Sequence, residues 1–444
     1  MGCIVSSLVV FFLFANVTGA APAAAPDWQQ LRQEARISDS QGDFGRGEML
    51  FRRAEVLTRS QSEADHFVAL EDLGNHYFEL ADFSTAARYF RAGLKLVRQM
   101  PAGKPAAISP AIALDNLGAV LRRMGAFTEA QPLAAEAATR YAALGMVPDT
   151  AHSYAALGEI ALGLGEPDRA RAELKTATEL LAGIRYSTMD AARTLVWAAQ
   201  SYLALGNPNE AGEALDQAET MMGHLQPVDA QDQARFADTK GSLLYRERHY
   251  AEAERLWNQV LQEADPQTVI GHAVRIHLAE LYNDLGRYQD AEPLLSEVIL
   301  HDHGEPVARG VAESEMGQAM LREKQPDAAD AMFQSAISDL EGSEAHKLPA
   351  LAVAYARYAS LREQQRRWED ALSYFQRAIT INRMFSPRDP ATVAWLLDCG
   401  NLYRRVGNRK AAADCKAQAR ALLSTAHLER RETVDLRELE TQRN

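Results

Sequence analysis

Cysteine is almost missing from this chain, with three in 444 residues. That is too few for a disulfide scaffold, the more so because Cys3 lies in a leader-like segment. Catalytic signatures are missing as well. There is no G-x-G-x-x-G followed by a βαβ pattern, no G-x-x-x-x-G-K-S/T, no H-E-x-x-H and no G-x-S-x-G. Strand-like runs are nearly absent after the first 20 residues, so sheet-based enzyme folds have nothing to build on. Positive charge is in deficit: 47 Lys and Arg stand against 60 Asp and Glu, a formal net charge of −13. An acidic balance argues against nucleic acid or an anionic membrane as the partner. No Pro/Gly-rich linker divides the chain, although its length exceeds the size at which one core usually keeps growing. A structure that grows by adding like units fits both facts.

The single long apolar run is IVSSLVVFFLFANV, residues 4–17. It is too short to span a bilayer comfortably and is followed by TGAAPAAAP, with Thr18 and Ala20 at the −3 and −1 positions of a small-residue cleavage site. Residues 1–20 therefore read as a signal peptide and 21–27 as a short linker. The chain is expected to be exported, periplasmic or secreted, with no integral span in the mature protein. No Lys or Arg precedes the run, so only the α-amino group is positive there. MGCIVS also fits a short myristoylation pattern with Cys3 beside it, but the apolar stretch directly behind is better explained by export.

What fills residues 28–425 is a repeat. Gly125-Ala126-Phe127-Thr128-Glu129-Ala130 reads as a helix end, a tight turn, an aromatic anchor and a small residue in the next helix. The frame recurs from Gly42, Ala81, Gly165, Gly206, Arg248, Gly286, Lys324, Arg366 and Gly407, every 38 to 44 residues. Seven positions upstream of each stands a small residue: Ala35, Gly74, Gly118, Gly158, Ala199, Gly241, Ala279, Gly317, Ala359 and Gly400. A small residue at a crossing lets two antiparallel helices approach closely, and Phe90, Trp257, Leu295, Phe333 or Phe375 fills the space beside it. Gly at the first helix's end suits a left-handed turn. Pro167, Pro208 and Pro326 suit a helix start, where a missing N–H costs little. One pair cannot bury its own apolar faces, so units must stack.

This spacing resembles the tetratricopeptide repeat, whose usual period is 34 residues. The longer unit is similar to the roughly 42-residue variety of kinesin light chains. The nearest local matches are Ala291-Glu292-Pro293-Leu294-Leu295 and the stretch from Tyr374, in which Pro387-Arg388-Asp389-Pro390 takes the place of the family's inter-repeat turn. The resemblance implies an all-α fold, a right-handed α-solenoid or superhelix of about ten antiparallel helix pairs. Two departures stand out: Gly47 where Ala is usual, and Arg409 with Lys416 where large apolar residues are expected. Both sit in terminal units, which as caps meet solvent. After about residue 425 the frame stops, and 426–444 read as a polar tail or capping helix.

Chemistry-bearing clusters are few. His301-Asp302-His303 invites a metal reading, but it falls in an inter-repeat segment and belongs to no spaced zinc pattern. Cys399 and Cys415 fall in the two helices of the last unit; a disulfide there and two separate thiols are both open. No catalytic residue, cofactor or metal ligand is expected.

The surface left to work is the concave one, lined chiefly by the first helix of each unit. The family's usual peptide-contacting positions lie three before, one after and four after the small residue. Carried onto this sequence they include Asn75, Arg122, Glu159, Gln200, Asp238, Glu280, Asn283, Gln318, Asn401 and Arg404. Amides and both charges alternate there, with apolar Phe78, Leu203 and Leu321 nearby. The mixture suits an extended peptide or partner helix. The lysine-rich clamp of some family members has no matching set of Lys. The expectation is a non-enzymatic scaffold or adaptor for a protein or peptide ligand; a self-associating structural solenoid is the alternative, and an enzyme of unknown type a remote one.

Overall fold

The protein is described from a computed structural model covering residues 27–80, 82–100, 109–225, 227–263, 268–301, 306–342, 349–385 and 390–427. The leader-like segment 1–20, most of the expected linker, the residues beyond His427, Ala81, Asp302, His303 and 387–389 lie outside the described residues. Among the described residues all regular structure is helical. The helices succeed one another as ten pairs: α1 (Trp28–Ser40) with α2 (Phe44–Thr58), α3 (Glu63–Glu79) with α4 (Phe83–Val97), and α5 (Ser109–Arg123) with α6 (Phe127–Ala143). They continue through α7 (Val147–Gly163), α8 (Pro167–Ala182), α9 (Met189–Ala204), α10 (Pro208–Gly223), α11 (Ala230–Arg246), α12 (Tyr250–Glu263), α13 (Val269–Asp284) and α14 (Tyr288–Leu300). The last three pairs are α15 (Pro306–Arg322) with α16 (Pro326–Gly342), α17 (Pro349–Gln364) with α18 (Trp368–Phe385), and α19 (Pro390–Arg405) with α20 (Arg409–His427). The chain is thus an all-α solenoid of helix pairs.

It divides into two compact units. The first holds residues up to Ile160 with Glu173–Leu195 and Met221–Leu225; the second holds Ala161–Ala172, Val196–Thr220 and everything from Gln226. Within the first, α1 to α6 pack in sequence, each on the next. Within the second, α11 to α20 do the same, and the first helices α11, α13, α15 and α17 also touch side by side.

Local chemistry explains the pairs. In the turn, the frame's opening residue is left-handed wherever it is described, at Gly42, Gly125, Gly165, Gly206, Gly286 and Gly407, and also at Arg248, Lys324 and Arg366, with φ between 60° and 82°. The following N–H closes on a carbonyl five residues back, as Ala126 N to Leu121 O at 2.8 Å and His249 N to Leu244 O at 2.8 Å. The geometry therefore prevails even where a Cβ makes it costly. Arg366 is exposed with φ 60°, so Arg366→Gly is expected to raise stability by up to about 1 kcal/mol, relief of the left-handed penalty being partly offset by glycine's greater unfolded entropy. Urea unfolding of the intact chain measures it, and a loss would mean the side chain supports the turn.

Pro167, Pro208 and Pro326 each open their helix, as the missing N–H requires. The second helices of the early pairs start on aspartate caps, Asp43 accepting from Arg46 N at 3.2 Å and Asp82 from Thr85 N at 3.0 Å. At the crossings, a Cβ added to Gly74 would lie 2.4 Å from the Phe90 ring, to Gly241 2.5 Å from Trp257, and to Gly317 2.8 Å from Phe333. Gly47 departs from the frame for a reason other than solvent exposure: a Cβ there would meet Asp39 Oδ1 at 1.8 Å, and Asp39 holds His76 Nδ1 at 2.8 Å.

Candidate binding surface

In the first unit the polar line runs along α3, α5 and α7. Asn75 is half-buried. Arg122 on α5 forms an ion pair with Glu159 on α7, joining a residue four after one crossing to a residue one after the next. Behind this line lie acids the sequence reading did not single out. Glu71 and Asp115, each three before the crossing glycine, are buried. Glu71 accepts from Asn116 Nδ2, and its other oxygen has no partner. Asp115 receives only a long contact from Ser153 Oγ at 3.4 Å, and its Oδ2 is likewise unpaired. Burial pushes Glu71 up to about 8 and Asp115 up to about 7. The nearby His152 imidazole is pushed down to about 4 by the same burial, with Arg122 adding to it.

In the second unit the pattern is denser. Gln200, exposed on α9, donates from Nε2 to Thr239 Oγ1 on α11 at 3.0 Å. Asp238 is buried and accepts from Trp257 Nε1 at 3.1 Å and contacts His277 Nδ1 at 2.8 Å. Its carboxylate thus locks the indole that fills the crossing, and the side chain faces into the fold. Burial alone would depress His277, but Asp238 overrides it and the imidazole rises to about 9. Four polar residues three before a crossing, Glu71, Asp115, Asp238 and Ser314, are buried, whereas Arg32 in the first pair is half-buried. That position points inward in those four pairs, while the residue one after stays half-buried or exposed.

The next helices share a ladder. Asn283 Nδ2 on α13 donates to Glu315 on α15, to its backbone oxygen and to Oε2, both at 3.1 Å. Arg357 on α17 pairs with Glu315 Oε1 at 2.6 Å and donates to Ser314 Oγ at 3.1 Å. Glu280 is half-buried one turn before Asn283, and Gln318 is half-buried on α15. Burial, with Glu315 beside it, raises the Glu280 carboxyl.

Asn401 and Arg404 are exposed on α19 and bond to each other. They line a shallow depression of about 390 Å³ between α19 and α20, together with Leu397, Arg409 and Lys416. The polar departures of the last pair, Arg409 and Lys416, thus line this depression beside Arg404. Cys399 is buried, Cys415 half-buried, and both are free thiols; burial lifts Cys399 to about 12, which makes it inert at neutral pH. His301 turns its Nδ1 to Glu297 O at 3.1 Å. Among the described residues no group of His, Cys, Asp and Glu is placed to hold a metal ion, and no helix is long and apolar enough to cross a membrane.

Two family models, each described as tetratricopeptide repeat, match the chain: one over residues 109–182 and 349–425, the other over 244–314. No curated protein matches its sequence. Among solved structures it is similar to the apo form of the quorum sensor NprR from B. thuringiensis, at 13% identity and TM-score 0.51 over 80% of this chain and 98% of that one. It is also similar to the APC/C hetero-tetramer Cut9–Hcn1, at 12% identity and TM-score 0.47 over 89% and 87%. A crystal structure of MamA aligns at 20% identity and TM-score 0.31, over 42% of this chain and 95% of that one.

Proposed function

We propose, from the premise that this chain belongs to the tetratricopeptide-repeat proteins, that it is a non-enzymatic scaffold which holds an extended peptide or partner helix along its first helices. One observation carries the reading: α13, α15 and α17 share a polar ladder whose residues bond from one repeat to the next, through Asn283, Glu315 and Arg357. Beside it the residues one after each crossing, Gln200, Glu280 and Gln318, stay half-buried or exposed, at intervals that suit an extended backbone or a helix edge. The first helices begin 35 to 46 residues apart, a spacing that supports the long-period variety similar to kinesin light chains. The apolar run and small-residue site at the N-terminus support export, to the periplasm or the medium.

Affinity capture from the native envelope or secreted fraction tests the scaffold. A stoichiometric partner is expected, with retention falling at least about tenfold, or roughly 1.4 kcal/mol, when Asn75, Arg122, Gln200 and Glu280 are changed together to alanine. Unchanged retention by that variant would move the site off these helices. A second reading, self-association, is favoured by the first pair, where Ile37, Met49, Val56 and Leu57 are all exposed. Sedimentation over a range of concentrations separates the two, since a monomer at every concentration removes it.

A further inference from the structure

The ladder of the second unit is unbalanced. Its donors are occupied: Asn283 Nδ2 on two oxygens of Glu315, Arg357 on Glu315 and Ser314, and Tyr245 Oη on Asp284 Oδ2 at 2.5 Å. Acceptors are left over. Glu280 makes no hydrogen bond or ion pair among the described residues. Asn283 is nine-tenths buried and its Oδ1 has no partner. The amide cannot be turned over to cure this, because Oδ1 would then face the two Glu315 oxygens. Glu280 and Asn283 stand three apart on α13, hence on one face.

The charges around Glu280 sharpen the point. It faces Glu315 and Asp284, which share its sign, and the cations His277 and Arg357. Both cations are already engaged, His277 with Asp238 and Arg357 with Glu315. Arg246, exposed at the end of α11, faces His277. A half-buried carboxylate without a donor is a cost to the folded chain, as its upward-shifted titration reflects. An ordinary solvated acid on a helix surface has water for a partner and no such shift.

We infer that Glu280 is the docking point for an arginine side chain of the bound peptide, with the unsatisfied Asn283 oxygen, three residues on along the same helix, adding to the negative potential. A guanidinium supplies five N–H donors in a planar fork and is weakly hydrated, so it meets an acceptor-rich, partly enclosed wall better than an ammonium does. The inference rests on the scaffold reading and names the chemistry of its ligand.

The test uses the intact chain and two pools of nonapeptides, one with arginine fixed at the centre and random flanks, the other with citrulline, its neutral isostere, in that place. Affinity selection read by mass spectrometry is expected to retain the arginine pool about tenfold better. Glu280→Gln should erase the preference, while its melting temperature stays the same or rises because a poorly solvated charge has gone. A preference for arginine that survives in Glu280→Gln overturns the inference. Equal retention of both pools by the native chain also overturns it, yet leaves the scaffold reading standing if the fourfold groove variant loses them. Retention of neither pool counts against both.

Discussion

Gly241→Ala is expected to destabilise the chain by about 1–3 kcal/mol, although alanine is the better helix former by about 1 kcal/mol. The added methyl would meet Trp257 at 2.5 Å from Nε1 and 2.7 Å from Cε2. The indole cannot swing aside, because Nε1 is tied to Asp238 Oδ1 at 3.1 Å and the ring is buried. Gly118→Ala should do the opposite. It occupies the same place in its repeat, but nothing lies within 4 Å of an added Cβ, so alanine's propensity should give about 0.5–1 kcal/mol of added stability. The difference lies in the facing helix, where the position that holds Trp257 in α12 holds Ala134 in α6. Thermal and urea unfolding of the two variants measure the contrast. Equal effects at both sites would mean that propensity, and not the aromatic anchor, governs the crossings.

That contrast shows how much of the fold was legible beforehand. The crossing glycines, the left-handed turn and the aromatic anchors are local features, each fixed by residues seven to sixteen positions apart, so a one-dimensional reading finds them. Arg248, Lys324 and Arg366 could be placed in the turn only because the frame put them there; residue type argues against φ above 60°, and the pairing of two helices enforces it. The candidate surface was less legible. Asp238 looks like its groove neighbours in sequence, and only the packing of α11 on α12 and α13 shows it turned inward to Trp257 and His277. Glu71 and Asp115 stand at the same repeat position as Asp238. Treating the acids at that position as inward would have brought all three out together.

Glu71 and Asp115 carry the second large effect. Both are buried acids whose folded titration lies above the unfolded carboxylate range, at about 8 and about 7. Such a group favours the fold while protonated: its contribution is complete below the unfolded value and is lost as pH rises through the folded one. Asp72 faces Glu71, and Arg122 and Ser153 face Asp115, while Asp149 and Tyr141 add no neutralising charge. These two carboxyls should therefore weaken the first unit between about pH 4.5 and pH 8, with His152, pushed down to about 4, offsetting part of the loss below about pH 6.5. Glu71→Gln with Asp115→Asn keeps the shapes and removes both ionisations. At pH 8 the double variant is expected to gain about 2–4 kcal/mol, less than full linkage because the new amide N–H groups also lack acceptors. At pH 4.5 it should gain nothing. Hydrogen exchange of peptides from α3–α6, compared between variant and parent at each pH, isolates the first unit from the second. Equal protection in the two chains at pH 8 would show that the carboxylates ionise without cost, and hence that water reaches Glu71 and Asp115 in the folded protein.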